Sequence, residues 1–211
     1  MENGYQCEIL EHAAFQMTSS LDLKEVLSTI TKGLVAELDA PLARIWMPEP
    51  GDICTECHKA SICSSRELCL HLSASDGIST HLDGEFRRVP MGCLHIGDIS
   101  RCKEPLLIND LESDPRFPNR KWFRKSGICA YAGYPLMFRD ELVGVLAVFA
   151  RRDLSAAIGR HLAGFANQAA IAIKNAQLFA EVEQLKNRLQ AENVYMQEEI
   201  KLSHNFEEMV G

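Results

Sequence analysis

The sequence predicts an α+β fold, in which an antiparallel sheet carries helices on one face. The strongest signal is a β-hairpin: two β-rich arms, residues 130–138 and 142–149, flank a polar turn at residues 139–141. Helical periodicity precedes the predicted strands, and residues 165–210 contain neither Gly nor Pro, which favours a long helix after the hairpin. This order of elements indicates an antiparallel sheet with helices on one side.

The chain is expected to begin with helices. Apolar residues recur at helical spacing over residues 5–38. Ser19, Ser20 and Asp22 interrupt this pattern, and their side-chain oxygens can cap a second helix that begins near Leu21.

Shorter strands are expected between the first helices and the hairpin. ARIWMPEPG, residues 43–51, predicts a strand that ends at its prolines, and CLHLSASDG, residues 69–77, predicts a second strand. EPLLIND, residues 104–110, predicts a short strand, and residues 111–127 predict a loop with a short helix.

Composition and charge narrow the class of protein. Of the 211 residues, 46% are hydrophobic and 24% are charged, which is the balance of a globular domain with its own core. The net charge of −7 argues against direct binding of this segment to DNA or to an anionic membrane, because both need a positive face. The first residues lack the features of a secretory signal, and the longest apolar run, residues 142–150, is too short to span a bilayer. We therefore expect a cytoplasmic protein.

Four of the eight cysteines lie in CTECHKASICSSRELC, the loop between the first two predicted strands. In a reducing compartment, clustered cysteines hold metal or do redox work more often than they form disulfides. Cys54, Cys57, Cys63 and Cys69 are therefore candidate ligands of one metal centre, with unligated thiols and a disulfide as alternatives. The single C-x2-C pair departs from the paired knuckles of zinc sites, so we place a [4Fe–4S] cluster slightly ahead of zinc.

The second half of the long helix has the spacing of a coiled-coil seam. Leu178, Val182, Leu185 and Leu189 follow one another in alternating steps of four and three. We expect two copies of the chain to form a homodimer along this seam, whose register is imperfect beyond Leu189.

Three stretches resemble the GAF family of small-molecule sensor domains: PLLINDLESDPRF, GICAYAGYPLMFRDELVGVLAVFARR and FANQAAIAIKNAQLF. The tail ENVYMQEEIKLSHNFEEMVG is similar to the linker and first residues of the AAA+ domain in sigma-54-dependent transcriptional activators of the formate-hydrogenlyase-activator type. The resemblance implies a GAF-like six-stranded antiparallel sheet, helices behind it that form a dimer interface, and a ligand pocket on the other face. The signature of cyclic-nucleotide-binding GAF domains is not assembled, so cyclic nucleotides are poor candidates.

The resemblance also divides the chain. It implies an N-terminal helix at residues 1–20 and a GAF sensor domain at residues 21–178, with the cysteine-rich loop at residues 51–69. A coiled-coil signalling linker would occupy residues 179–203, and residues 204–211 would begin an AAA+ domain.

The implied pocket lies among the central strands and the segments that cross them. Side chains there that combine an apolar body with a polar tip are candidates for ligand binding, and core packing is the alternative for each. These candidates are Trp46, His71, Cys93, His95, Cys102, Trp122 and Tyr131.

We expect a regulatory sensor and not an enzyme, because neither a G-x-S-x-G elbow nor an H-E-x-x-H pair occurs. The pocket or the four-cysteine site would detect a small molecule, a gas or a redox state. The coiled coil would pass the signal to the chain's own AAA+ ATPase, and through it to sigma-54 RNA polymerase. The alternatives are a constitutive dimerisation module with a structural zinc, and a GAF-type methionine-sulfoxide reductase that uses pocket cysteines.

Overall fold

The computed structural model describes residues 20–117 and 119–210, and side chains in the last helix as far as Gln197. Apart from Ser20, the helix predicted at residues 1–20 lies outside the described residues. The side chains of the predicted AAA+ start at residues 204–211 lie outside them as well.

A six-stranded antiparallel sheet forms the centre of the fold, which confirms the predicted α+β class. The strand order is β3-β2-β1-β6-β5-β4. The strands are β1 (Leu42–Pro50), β2 (Leu68–Gly77), β3 (Arg88–Pro90), β4 (Leu106–Ile108), β5 (Ala130–Phe138) and β6 (Glu141–Ala150).

Four α-helices complete the described fold: α1 (Leu23–Leu38), α2 (Leu94–Cys102), α3 (Arg120–Ser126) and α4 (Ala156–Val210). The helix α1 begins where its capping residues predicted, because the Asp22 carboxylate accepts a hydrogen bond of 2.9 Å from the backbone N–H of Glu25.

The strands separate two apolar clusters because successive side chains point to opposite faces of the sheet. On one face, Ala43 and Ile45 pack with α1 and with the first half of α4. On the other face, Leu42 and Trp46 pack with α2 and α3. The second cluster contains most of the aromatic rings and surrounds the site described below.

The long helix α4 has 55 residues, a length of about 80 Å. Its buried positions end at Ala176. Beyond that point the predicted seam is open: Leu178, Val182, Leu185 and Leu189 are 43%, 58%, 53% and 64% exposed. Among the described residues, no helix is both long and apolar enough to cross a membrane.

Two elements differ from the sequence prediction, whereas the first strand ends where it was expected to end. The strand β1 ends at Pro50, the second of the two prolines in the predicted strand. Beyond Trp46 it pairs only with β2, so Pro48 lies where the strand is an edge, a place that tolerates a missing N–H. The strand β3 and the helix α2 are absent from the prediction.

Candidate functional site

A cavity of about 290 Å³ lies on the face of the sheet that α2 and α3 cover. We call it the aromatic pocket, because six rings line it. They belong to Trp46, Phe86, Phe117, Trp122, Phe123 and Phe149. Four of these rings form a chain of ring contacts, which includes the stacked pair Phe123–Phe149 at 6.1 Å between centroids. The Trp46 indole N–H donates a 2.8 Å hydrogen bond to the Phe86 carbonyl, so the largest ring of the wall is fixed in place.

Polar groups enter the aromatic pocket at a few points, and most of them have a partner. Lys59 forms an ion pair with Glu85 and lies 5.0 Å over the Phe86 ring. Arg116 pairs with Asp114 through a 2.9 Å hydrogen bond from Nε. These charges are largely neutralised by their neighbours.

Arg44 differs from the other cations of the aromatic pocket. Its guanidinium donates to the hydroxyls of Ser75 and Ser79, each at 3.1 Å. Among the described residues no carboxylate forms an ion pair with it. Burial lowers the pKa of Arg44, because an unneutralised charge is unfavourable away from water. Within the described part of the chain, Arg44 is therefore a pocket cation without a balancing carboxylate.

His95 is the buried polar side chain of the aromatic pocket. It is 6% exposed, stacks on Phe117 at 4.2 Å and meets the edge of Tyr131 at 5.0 Å. Burial and, to a smaller extent, the nearby Arg116 lower its pKa to about 4, so the ring is neutral at physiological pH. Its Nδ1 has no hydrogen-bond partner among the described residues.

The helix α2 approaches the sheet closely enough to place His95 because Gly97 has no side chain. A Cβ at Gly97 would lie 2.3 Å from the carbonyl oxygen of Pro90. The chain enters α2 through a left-handed residue, Leu94, with φ of 58°, a conformation that costs a non-glycine residue about 1–2 kcal/mol. Leu94 itself lines the aromatic pocket.

A second, much smaller cavity of about 20 Å³ lies between the cysteine-rich loop and the β2–β3 edge of the sheet. We call it the cysteine cavity, because all four predicted ligands line it: Cys54, Cys57, Cys63 and Cys69. The loop closes tightly at Gly51, where a Cβ would lie 2.4 Å from the Arg66 carbonyl oxygen and 2.8 Å from the Cys54 sulfur. The fold therefore brings the four sulfurs of one segment to one place.

The hydrogen bonds of the thiols lie within the loop. Cys54 donates to the Arg66 carbonyl at 3.7 Å, and Cys63 donates to the Ser65 carbonyl at 2.8 Å. Cys57 instead accepts a 3.4 Å hydrogen bond from the backbone N–H of Lys59, a contact that stabilises a thiolate.

Charged groups surround the cysteine cavity. Burial raises the pKa of Cys69 to about 11, and the positive charge of Arg88 opposes that rise. Arg88 donates a 2.8 Å hydrogen bond to Asp52, which holds the pKa of that carboxyl well below its usual range. His71 is buried beside them, with Nδ1 3.2 Å from Glu49, and burial lowers its pKa.

As they stand, the sulfurs do not form a coordination sphere. Among the described residues, no group of three or more His, Cys, Asp or Glu side chains is arranged to hold a metal ion. Cys54 and Cys63 point at carbonyl oxygens of their own loop, and both would have to turn to share a metal with Cys57 and Cys69. The donor set of four thiols around one cavity fits a thiophilic metal in its chemistry.

Three of the seven predicted pocket residues line the aromatic pocket: Trp46, His95 and Trp122. The other four lie elsewhere. Tyr131 is fully buried beneath the pocket, against His95. His71 is next to the cysteine cavity, because it alternates along β2 with Leu70 and Leu72 of the pocket-side cluster.

The two remaining candidates are thiols. Cys93 precedes α2 and donates a 3.1 Å hydrogen bond to the Ile62 carbonyl in the cysteine-rich loop. Cys102 ends α2 and is exposed. No sequence pattern identified Lys59, Glu85 or Arg116 as pocket residues, because all three lie in irregular segments whose positions depend on the tertiary fold.

The family model described as GAF domain matches residues 22–173. The chain belongs to the GAF family. The match includes both cavities and ends in the buried half of α4, which is why the exposed seam lies outside it. No curated protein sequence matches the chain.

Solved structures with the same fold are distant in sequence. The GAF domain of a phosphoenolpyruvate-protein phosphotransferase from Coxiella burnetii is 16% identical, with a TM-score of 0.66 over 86% of this chain and 99% of its own. The free methionine-R-sulfoxide reductase of Neisseria meningitidis, in complex with its substrate, is 13% identical, with a TM-score of 0.63 over 84% and 93%. The GAF domain of A. aeolicus nlh2, in an inactive state, is 16% identical, with a TM-score of 0.60 over 81% and 96%. At these identities the likeness is one of fold.

Proposed function

We propose that this chain is the cytoplasmic sensory part of a sigma-54-dependent transcriptional activator. It senses a small molecule, a gas or a redox state through the aromatic pocket, the cysteine cavity or both. A homodimeric coiled coil then controls the chain's own AAA+ ATPase. The observation that carries the proposal is a GAF domain with two cavities, followed by a long helix. The apolar seam of that helix is exposed where the helix extends beyond the domain.

Cys54, Cys57, Cys63 and Cys69 are the residues that would hold a metal at the cysteine cavity. Their common position supports this assignment, because all four line one small cavity between the loop and the edge of the sheet. A [4Fe–4S] cluster would supply a redox or gas response, whereas zinc would only fasten the loop to the sheet. We favour the cluster slightly, because a sensor gains a signal from it.

Metal analysis of anaerobically purified protein tests this site. We expect either about four iron atoms with a visible charge-transfer band, or about one zinc ion per chain. Cys57→Ser should lose most of the metal, and Cys102→Ser, at an exposed thiol outside the cavity, should retain it. If the wild-type protein contains neither iron nor zinc, the metal site is ruled out.

The seam on α4 is the proposed route of signal transfer. Coiled-coil registers differ little in energy, so a modest difference in ligand affinity between two registers shifts their populations. Leu185→Asp places a charge on the seam and should convert the dimer to the monomer in light scattering. Gln184→Asp, which is one residue off the seam and also exposed, is the matched control. An unchanged mass for Leu185→Asp would contradict the assignment.

The main alternative is a reductase, because solved neighbours include the Neisseria enzyme. We propose that the chain is not an enzyme, since none of the residues that line the aromatic pocket is a cysteine and such a reductase needs a thiol at its substrate. A thioredoxin-coupled assay with free methionine sulfoxide tests this, and turnover would reverse the conclusion. The second alternative, a constitutive dimerisation module with structural zinc, predicts a dimer with zinc and no response to ligand.

A further inference from the structure

We infer that the aromatic pocket takes a small planar organic acid, whose carboxylate meets Arg44 and whose apolar part lies against the rings. This inference rests on the proposed sensory function and names the chemical class of its ligand. It is carried by the geometry and charge of the pocket.

The charge of the aromatic pocket is unbalanced at one point. Lys59 and Arg116 each have a carboxylate partner, Glu85 and Asp114. Among the described residues, the partners of the Arg44 guanidinium are two hydroxyls, which use two of its five N–H groups. A partly buried guanidinium without a counter-ion gains most from a ligand that brings a carboxylate, which it can bind through two parallel hydrogen bonds.

The walls specify the rest of the ligand. Arg44 lies between Leu42 and Trp46 on the pocket face of β1, because alternate residues of a strand share a face. Trp46 and Phe149 line the same cavity as Arg44. Flat aromatic surfaces favour a planar apolar body in stacked or edge contact.

A second polar group is free to orient this ligand. His95 lines the same cavity, is buried and neutral, and its Nδ1 has no partner among the described residues. An unpaired polar atom at this depth is unfavourable, and a hydrogen bond to a ligand would satisfy it. A cavity of about 290 Å³ is large enough for a one-ring or two-ring acid.

The chain contains its own reporter for this ligand. Its two tryptophans, Trp46 and Trp122, both line the aromatic pocket. Titration of the whole chain with benzoate, with neutral benzamide and with acetate can therefore be followed by tryptophan fluorescence. We expect benzoate to bind with a dissociation constant near 1 mM, as suits a ligand of this size, and benzamide and acetate to bind at least about ten-fold more weakly.

Variants separate the Arg44 guanidinium from the general charge of the domain. Arg44→Gln should weaken benzoate binding about ten-fold or more and remove the preference over benzamide. Arg124→Gln, which removes an exposed cation paired with Glu112 outside the pocket, should change benzoate affinity less than about three-fold. Circular dichroism confirms that each variant folds, and Arg44→Lys provides a charge-conserving second variant.

The outcomes distinguish this inference from the proposed function. Equal affinity for benzamide and benzoate would overturn the inference that the ligand is an acid, although the pocket would still bind a ligand. Unchanged benzoate binding by Arg44→Gln would overturn the role of Arg44. No binding of benzoate at about 10 mM would overturn the inference, while sensing through the cysteine cavity would still be decided by the metal analysis above.

Discussion

The aromatic pocket and the cysteine cavity belong to one domain but are built in different ways. The aromatic pocket is walled by rings from β1, β6, α3 and the segments that cross them, and several of these residues are almost fully buried in the core. The cysteine cavity is walled largely by one loop, whose regular structure is a three-residue 3-10 turn, Ala60–Ile62. Its four thiols are all partly exposed.

The difference teaches which site is formed before its ligand binds. The core holds the aromatic pocket open whether or not a ligand is present, because its walls are packed from behind. The loop around the cysteine cavity has few apolar contacts, so a bound metal would have to supply much of its order. One site is therefore expected to recognise shape, and the other to change shape when it is occupied.

The largest expected difference between the two cavities is in how much a substitution in each lowers the free energy of unfolding. Trp46 is 1% exposed, and Trp46→Ala should lower the free energy of unfolding by about 3–5 kcal/mol. Cys57→Ser in the metal-free chain should lower it by less than about 1 kcal/mol. Urea denaturation of both variants measures the difference, with Trp46→Phe as a milder replacement that keeps the wall aromatic.

A cysteine variant as destabilising as the tryptophan variant would break the distinction. It would mean that the loop is part of the cooperative core without metal. Equal losses of stability in zinc-loaded protein would not contradict the distinction, because the metal then contributes its own binding free energy to folding.

The next effect concerns pH and the aromatic pocket alone. The folded chain holds the pKa of His95 at about 4, below its ordinary value of 6.5. Above pH 6.5 both folded and unfolded states are neutral at this residue, and its effect on stability is constant. As the pH falls from 6.5 towards 4, the unfolded chain binds a proton at His95 that the folded chain does not bind. The free energy of unfolding therefore falls by up to about 3 kcal/mol.

His95→Gln should remove that part of the pH dependence. The measurement is the free energy of unfolding of wild type and variant between pH 7 and pH 4.5, both without metal, and the quantity of interest is the difference between the two curves. Asp114 lies near the ring, and the hydrogen bond from Arg116 that chiefly lowers its pKa is present in both proteins. Parallel curves would contradict the buried, neutral state of His95.

The sequence predicted the scaffold of both sites better than their contents. The hairpin of β5 and β6 and the cap at Asp22 have strong local signals and are confirmed. The helix α2 has none, because Gly97, Asp98 and Ser100 are poor helix formers and the chain enters it through a left-handed residue. Its missing prediction explains why His95 could be named as a candidate without its burial being known.

For the cysteines, the sequence predicted the location of the site but not its detailed geometry. Their clustering in sequence predicted one shared location, and all four line one cavity. Whether they bind metal depends on side-chain rotations that spacing alone does not determine, and the metal remains a prediction. Lys59 had no signal at all, since its side chain reaches the aromatic pocket only because the cysteine-rich loop lies beside Phe86.

That position of Lys59 leads to the smallest expected effect, a coupling between the two sites. Its backbone N–H donates to the Cys57 sulfur, while its ammonium group pairs with Glu85 at the rim of the aromatic pocket. A metal that turns Cys57 would therefore move a charge at the pocket. We expect zinc-loaded and metal-free protein to differ about three-fold in benzoate affinity, and benzoate to change zinc affinity by the same factor, because coupling between binding sites is reciprocal.

Lys59→Met tests the route of that coupling. It keeps the backbone N–H, and so should keep the metal content, but it removes the ammonium group that reaches Glu85 and the Phe86 ring. The three-fold difference should shrink towards unity in this variant, as measured by tryptophan fluorescence at matched zinc content. If the wild type has the same benzoate affinity with and without zinc, the two cavities are independent, and the proposed coupling through Lys59 is wrong.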